Sequence, residues 1–200
     1  MNKENGFSIL ELIIAMTLTL SVIGGIGTLL SASLSARARQ NRQTGAMTAT
    51  QHALNIMSRE IANSGYGLDG NDANGIVIAD SNNARVRFRG NLNNDSDVND
   101  INEDITYFYD ATNQSIARYD RTGTTSVLSS SITSLTVSYR DYATDGTASG
   151  AYDATPSVNT GSVRFMVTVA LEPVANQPNL TINLSSEVSL RNSAGLLNRY

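Results

Sequence analysis

Apolar residues crowd the first part of this chain without any period. From Phe7 to Ala36 the residues are mostly Leu, Ile, Val, Ala, Met, Ser, Thr and Gly, and Glu11 is the sole charge. A helix crosses the hydrocarbon of a bilayer with about 20 apolar residues, so 7–36 is long enough to span it. From residue 37 the pattern becomes helical. Met47, Leu54, Met57 and Ile61 form one stripe, widened by Ala46, Ala49 and Ala53, with Arg42, Gln43, Gln51, Ser58 and Arg59 mostly off it. The pattern predicts a helix running without a break to about Ser64. Gly65 and Gly67 around Tyr66 then end it, because glycine takes the left-handed backbone of a helix C-terminal cap.

Beyond Gly67 the period drops to two. Ile76–Ala79, Arg85–Arg89, Ile105–Tyr109, Ile116–Tyr119, Ile132–Tyr139, Val163–Leu171 and Leu180–Leu190 read as strands. Val163, Phe165, Val167 and Val169 alternate with Arg164, Met166 and Thr168, the pattern of antiparallel sheets with one buried face. Asp69-Gly70-Asn71-Asp72, Thr122-Gly123, Asp145-Gly146 and the stretch 147–161 read as turns and loops. The predicted class is α+β: a long N-terminal helix, half transmembrane and half amphipathic, packed on an antiparallel β-sheet domain over 67–200. Gly24, Gly25 and Gly27 lie within the apolar run, where small residues let neighbouring helices approach closely. They also weaken the helix by about 1 kcal/mol each relative to Ala, which would make a soft segment.

Composition narrows the chemistry. The chain has 200 residues, 40% hydrophobic and 16% charged, which describes a folded protein rather than a disordered one. Its net charge of −4 makes no general case for nucleic-acid binding. Without cysteine, neither disulfides nor thiolate metal sites can form. His52 is the one histidine, so neither a histidine-centred metal site nor a Ser-His triad has the residues it needs. No phosphate-cradling glycine loop occurs, and we read the chain as non-enzymatic.

Glu11 is the exception that needs a reason. A carboxylate in hydrocarbon costs about 2.5–3.5 kcal/mol even on insertion scales, so an ionisable residue there is functional by default. Met1–Gly6 forms a short polar leader, Phe7 follows Gly6, and Glu11 stands at the fifth position after that junction. This arrangement closely resembles the prepilin signature of type IV pilins and type II secretion pseudopilins. The resemblance implies cleavage between Gly6 and Phe7 by a prepilin peptidase, which also N-methylates Phe7. It implies that Glu11 of an adjoining subunit neutralises the new amine during assembly, and that the fold is the pilin fold. A secretory signal fits less well: Lys3 is balanced by Glu4, and the apolar run exceeds the usual core of about 7–15 residues.

Two further segments resemble PilW-type minor pilins: Ser58-Arg59-Glu60-Ile61-Ala62-Asn63-Ser64-Gly65-Tyr66-Gly67 at the helix end and Ser189-Leu190-Arg191-Asn192 near the C-terminus. The second also resembles the pseudopilin J group. The absence of cysteine departs from many major pilins, which staple their C-terminal region with a disulfide. The resemblance implies a minor pilin that helps initiate pilus assembly and joins the filament. Its implied partners are the prepilin peptidase, other minor and major pilins, the inner-membrane assembly platform and the bilayer, with nucleic acid only if the pilus serves DNA uptake. It places the large domain outside the cytoplasm. Arg37, Arg39 and Arg42 after the span would by the positive-inside rule put that domain inside. We follow the resemblance, whose residues are the more specific signal.

Two stretches carry candidate chemistry. Asn91, Asn93, Asp95, Asp97 and Asn99 alternate before Glu103, a spacing that presents oxygens around one point and suits Ca2+, which takes six to eight oxygen ligands. The stretch looks like a degenerate Ca2+ loop of the EF-hand or dockerin kind. Ser96 replaces the turn glycine, and Glu103 lies one position late. The alternative is a solvated Asn/Asp turn. No obligatory cofactor is expected, and Ca2+ is the candidate ligand. Arg85, Arg87 and Arg89 share one strand face, either a basic stripe for an acidic partner or a charged face that blocks edge-to-edge pairing.

Overall fold

A helix of 54 residues, α1 (Ile9–Ala62), begins the computed structural model, which describes residues 8–68, 74–143, 145–171, 179–193 and 197. The predicted leader, 1–6, and Phe7 lie outside the described residues. Ser8 starts α1: its Oγ accepts the Leu10 N–H at 3.3 Å, an N-cap bond. The helix runs unbroken through Gly24, Gly25 and Gly27. The chain divides into two compact units, 1–44 and 45–200, so the later part of α1 belongs with the β domain.

In the second unit eight strands follow: β1 (Arg85–Arg89), β2 (Asp104–Asp110), β3 (Ser115–Asp120), β4 (Thr124–Ser129), β5 (Ile132–Tyr142), β6 (Ala148–Asp153), β7 (Thr160–Ala170) and β8 (Thr181–Ser189). They form two antiparallel four-stranded sheets, ordered β1-β2-β3-β4 and β6-β5-β7-β8. In the first sheet Val86 pairs with Tyr107 and Phe88 with Ile105, all turned to the core. In the second, Leu135 faces Val167 and Val137 faces Phe165 on the inner side. Leu54, Met57 and Ile61 of α1 join both sets in one core, and each is wholly buried. The sheets are also tied by Tyr139, whose hydroxyl donates to the Asn82 and Arg85 carbonyls at 3.1 Å each.

Several expectations need correction. Residues 76–79 are not a strand. Ile76 makes one bridge to Phe88, and a short 3-10 turn at Ile78–Asp80 then breaks the pairing and sends Asp80 towards Arg87. The predicted helical stripe is right at Ala53, Leu54, Met57 and Ile61, but Thr50 is buried while Met47 and Ala49 are exposed. Burial therefore starts about one turn later than the pattern suggests. The helix stops at Ala62, and a turn carries Gly65 (φ 76°) and Gly67 (φ 68°). The stretch 147–161 holds a strand, β6, and β4 was not anticipated.

Candidate functional site

Among the described residues, the large side chains of the apolar part of α1 are exposed. Ile9, Leu10, Leu20 and Leu29 are 79%, 67%, 74% and 73% exposed. Five of its hydroxyls are satisfied within the helix. Thr17, Thr19, Ser21, Thr28 and Ser35 each donate back to a carbonyl three or four residues earlier, at 2.7–2.9 Å. A helix that closes its own polar groups and exposes its apolar ones is suited to a solvent without hydrogen bonds. One helix is long and apolar enough to cross a membrane by length and composition. Glu11 sits exposed in its first turn, third after the Ser8 cap, where a carboxylate also complements the helix dipole. Gly6 and Phe7, the predicted processing site, lie outside the described residues.

The acidic loop lies between β1 and β2. Asp95, Asp97, Asp100 and Glu103 each offer a carboxylate oxygen, and these oxygens all lie within 4.8 Å of one another. That group could hold a metal ion. Asp95, Asp97 and Glu103 were legible from the alternation, and Asp100 was not. Of the other predicted ligands, Asn91 accepts the Asp95 N–H at 3.2 Å through Oδ1. Asn93 donates Nδ2 to Asp95 and Asp100, at 2.9 and 2.7 Å. The Asn99 N–H donates to Asp97 Oδ1 at 2.9 Å. The Asp97 N–H, with help from the Asn93 amide, holds the Asp95 carboxyl below its ordinary range.

Glu103 differs from the other three. It is 1% exposed, whereas they face solvent. Its Oε1 accepts the Leu92 and Asn93 N–H groups at 2.7 and 3.3 Å. Its Oε2 is buried with no hydrogen-bond partner. A buried carboxylate oxygen without a donor or cation is costly, so this atom asks for a positive partner.

Segments 58–67 and 189–192 meet at the end of α1. Arg191 N–H donates to the Ala62 carbonyl at 3.1 Å, and Asn192 Nδ2 donates to the Ser64 carbonyl at 2.9 Å. These groups satisfy carbonyls that a helix C-terminus leaves free. Glu60 accepts the Tyr107 hydroxyl and Arg118 Nε at 2.5 and 2.9 Å, fixing the helix to the first sheet. Burial, reinforced by the Glu60 carboxylate, pushes the Tyr107 phenol well above its usual range, so it remains a donor.

Arg85, Arg87 and Arg89 do share the outer face of the first sheet, beside a groove of about 710 Å³. Arg87 grips Asp104 with Nε and Nη2, at 2.7 and 2.6 Å, and also reaches Asp80. Arg89 Nε and Arg121 Nη1 add bonds to Asp104 at 3.0 and 3.3 Å. Each arginine of the stripe meets one of the protein's own carboxylates, but with Arg121 four guanidinium groups share Asp80 and Asp104, so the face keeps a net positive charge. His52 is exposed on α1. No family model matches this chain, and neither the curated proteins nor the solved structures include a match.

Proposed function

We propose that this chain is a subunit of a type IV pilin-like filament, most like a PilW-type minor pilin, that helps start pilus assembly and is incorporated in the pilus. The observation that carries the reading is the exposure of the apolar part of α1, up to Ala36, with Glu11 as its only charge, on a helix whose later turns are buried in a β domain. An exposed apolar helix needs lipid or other helices around it, and a filament core of like helices supplies the second after the bilayer supplies the first. Glu11 would then meet the methylated amine of Phe7 on a neighbouring subunit. The single-pass protein resides in the inner membrane with the β domain outside the cytoplasm, before entering the pilus. A pseudopilin J-like place in a type II secretion system is the nearest alternative within the same family.

The carboxylate group favours a second reading, a membrane-tethered binding module that depends on Ca2+. Its all-oxygen donors suit a hard cation of that size. Processing separates the two. Intact-mass analysis of membrane-extracted protein should find a chain that begins at a methylated Phe7, and a bulky residue at Gly6 should block the cut. A mature chain with another start sinks the filament reading. Glu11→Ala should insert and be cleaved normally, since it removes a charge from hydrocarbon, yet co-purify poorly with partner pilins.

A further inference from the structure

We infer that Asp95, Asp97, Asp100 and Glu103 hold one Ca2+, and that the ion acts as a clamp fastening the acidic loop to the end of α1. This rests on the Ca2+ assignment and is independent of the filament reading. Ca2+ binds oxygen at 2.3–2.6 Å, so oxygens across its shell stand about 4.6–5.2 Å apart. One oxygen from each of the four carboxylates lies within 4.8 Å of the others, a spacing within the reach of one such ion. For Mg2+ at 2.0–2.1 Å the same span shrinks to about 4.0–4.2 Å and demands a near-ideal octahedron. No basic residue occurs between Asn91 and Glu103, so the loop supplies no cation of its own.

Glu103 makes this more than a surface cluster. The buried, unpartnered Oε2 lies on the same carboxyl group as Oε1, which is already fixed by Leu92 and Asn93. Its backbone carbonyl accepts the Gly90 N–H at 3.0 Å. The next links lead to the helix: the Asn91 N–H donates to the Tyr66 carbonyl, and the Gly65 N–H donates to the Arg89 carbonyl, both at 2.8 Å. An ion drawn to Oε2 would thus tighten a chain of bonds from the loop tip, through Glu103 and residues 90–93, to the turn that closes α1. Without the ion, repulsion among the four carboxylates loosens the same chain.

The test uses the full-length protein in detergent micelles, with Ca2+ or Mg2+ added after chelation. Calorimetric titration should show one Ca2+ site and a much weaker response to Mg2+. At free Ca2+ one hundred times its Kd, the melting temperature should rise by roughly 5–10 °C over the chelated protein. Glu103→Gln and, separately, the exposed Asp97→Asn should weaken Ca2+ binding at least tenfold. Glu103→Gln should melt no lower than wild type in chelator, because it removes an unpaired buried charge. Hydrogen exchange at the amides of Gly65, Asn91 and Leu92 should slow when Ca2+ binds to wild type. No heat and no melting shift overturn the site, as does undiminished binding by both variants or equal binding of Mg2+. Normal Ca2+ binding with unchanged exchange at Gly65 and Asn91 overturns the clamp and leaves the site standing.

Discussion

Leu20 and Leu54 occupy the same helix in the same backbone conformation, yet one is 74% exposed and the other wholly buried. Around Leu20 every helix face carries apolar residues, and they are exposed among the described residues. Around Leu54 the apolar residues narrow to one face, which two sheets enclose. Burial is worth roughly 25 cal/mol per Å² of apolar surface, so the second region gains its stability from its own fold. The first can gain the same only from its surroundings. Helix-forming tendency does not separate the two regions. The width of the apolar surface does: one apolar face lies enclosed by the sheets, while an apolar surface all round stays exposed.

That contrast can be broken directly. Leu54→Ala should destabilise the β domain by about 2–5 kcal/mol, because it removes transfer energy and leaves a cavity beside Met57 and Ile61. Leu20→Ala should leave the same domain unchanged. The eight tyrosines all lie at or after residue 66, so their near-ultraviolet circular dichroism reports the β domain alone in the full-length chain. A loss of domain stability in Leu20→Ala comparable to that in Leu54→Ala would show that the two regions of α1 share one core.

A smaller effect sharpens the contrast on the buried side. Arg118 points inward from β3, opposite Tyr107 across the strand pair, and both converge on Glu60. Glu60→Ala would remove the acceptor that the Tyr107 hydroxyl and Arg118 Nε share, leaving the largely buried guanidinium with Asn102 Oδ1 and the more distant Asp120, at a cost of about 1–3 kcal/mol. Adding Arg118→Met should recover part of that loss, since a poorly compensated buried charge is worse than an apolar side chain of similar size. If the double variant is no more stable than Glu60→Ala, the loss comes from helix packing and not from the stranded charge.

Sequence pattern revealed α1 from its apolar run and the stripe that follows, its end from Gly65 and Gly67, and the strands with clean alternation because each buries one defined face. It failed where burial is slight. In Thr124–Ser129 the first four of six positions are exposed, and in Ala148–Asp153 five of six are, so neither edge strand has an apolar period to detect. The threonines of β4 were the remaining signal, since β-branched residues favour strands. Residues 76–79 misled in the other direction: an apolar run became a turn because Asp80 reaches Arg87. In the acidic loop, alternation found Asp95 and Asp97. Asp100 falls off that alternation and joins the group only through the way the loop folds back. The burial of Glu103 depends on Leu92 and Asn93 N–H groups that no spacing rule foretells.

The smallest expected effect concerns acid, and it separates the two regions of α1 by a different probe. Asp104 is nearly buried, and burial alone would raise its carboxyl. Arg87 and Arg89 outweigh that and hold it below the ordinary carboxylate range. A depressed folded value means that the Asp104 contribution to stability is complete above the unfolded value near about 4 and disappears as pH falls through the lower folded value. Each proton taken up in this way costs at most about 1.4 kcal/mol per pH unit, and near pH 5 very little of it is yet lost. Melting temperature followed by tyrosine dichroism should therefore hold steady down to about pH 5 and decline towards pH 3. Asp104→Asn should start lower and decline less steeply across that window. Helicity in the apolar region of α1, whose one charge is Glu11, should persist through the same range when followed by exchange of its amides in micelles. A parallel loss in both regions would mean that acid acts on the whole chain rather than on the Arg–Asp104 network of the first sheet.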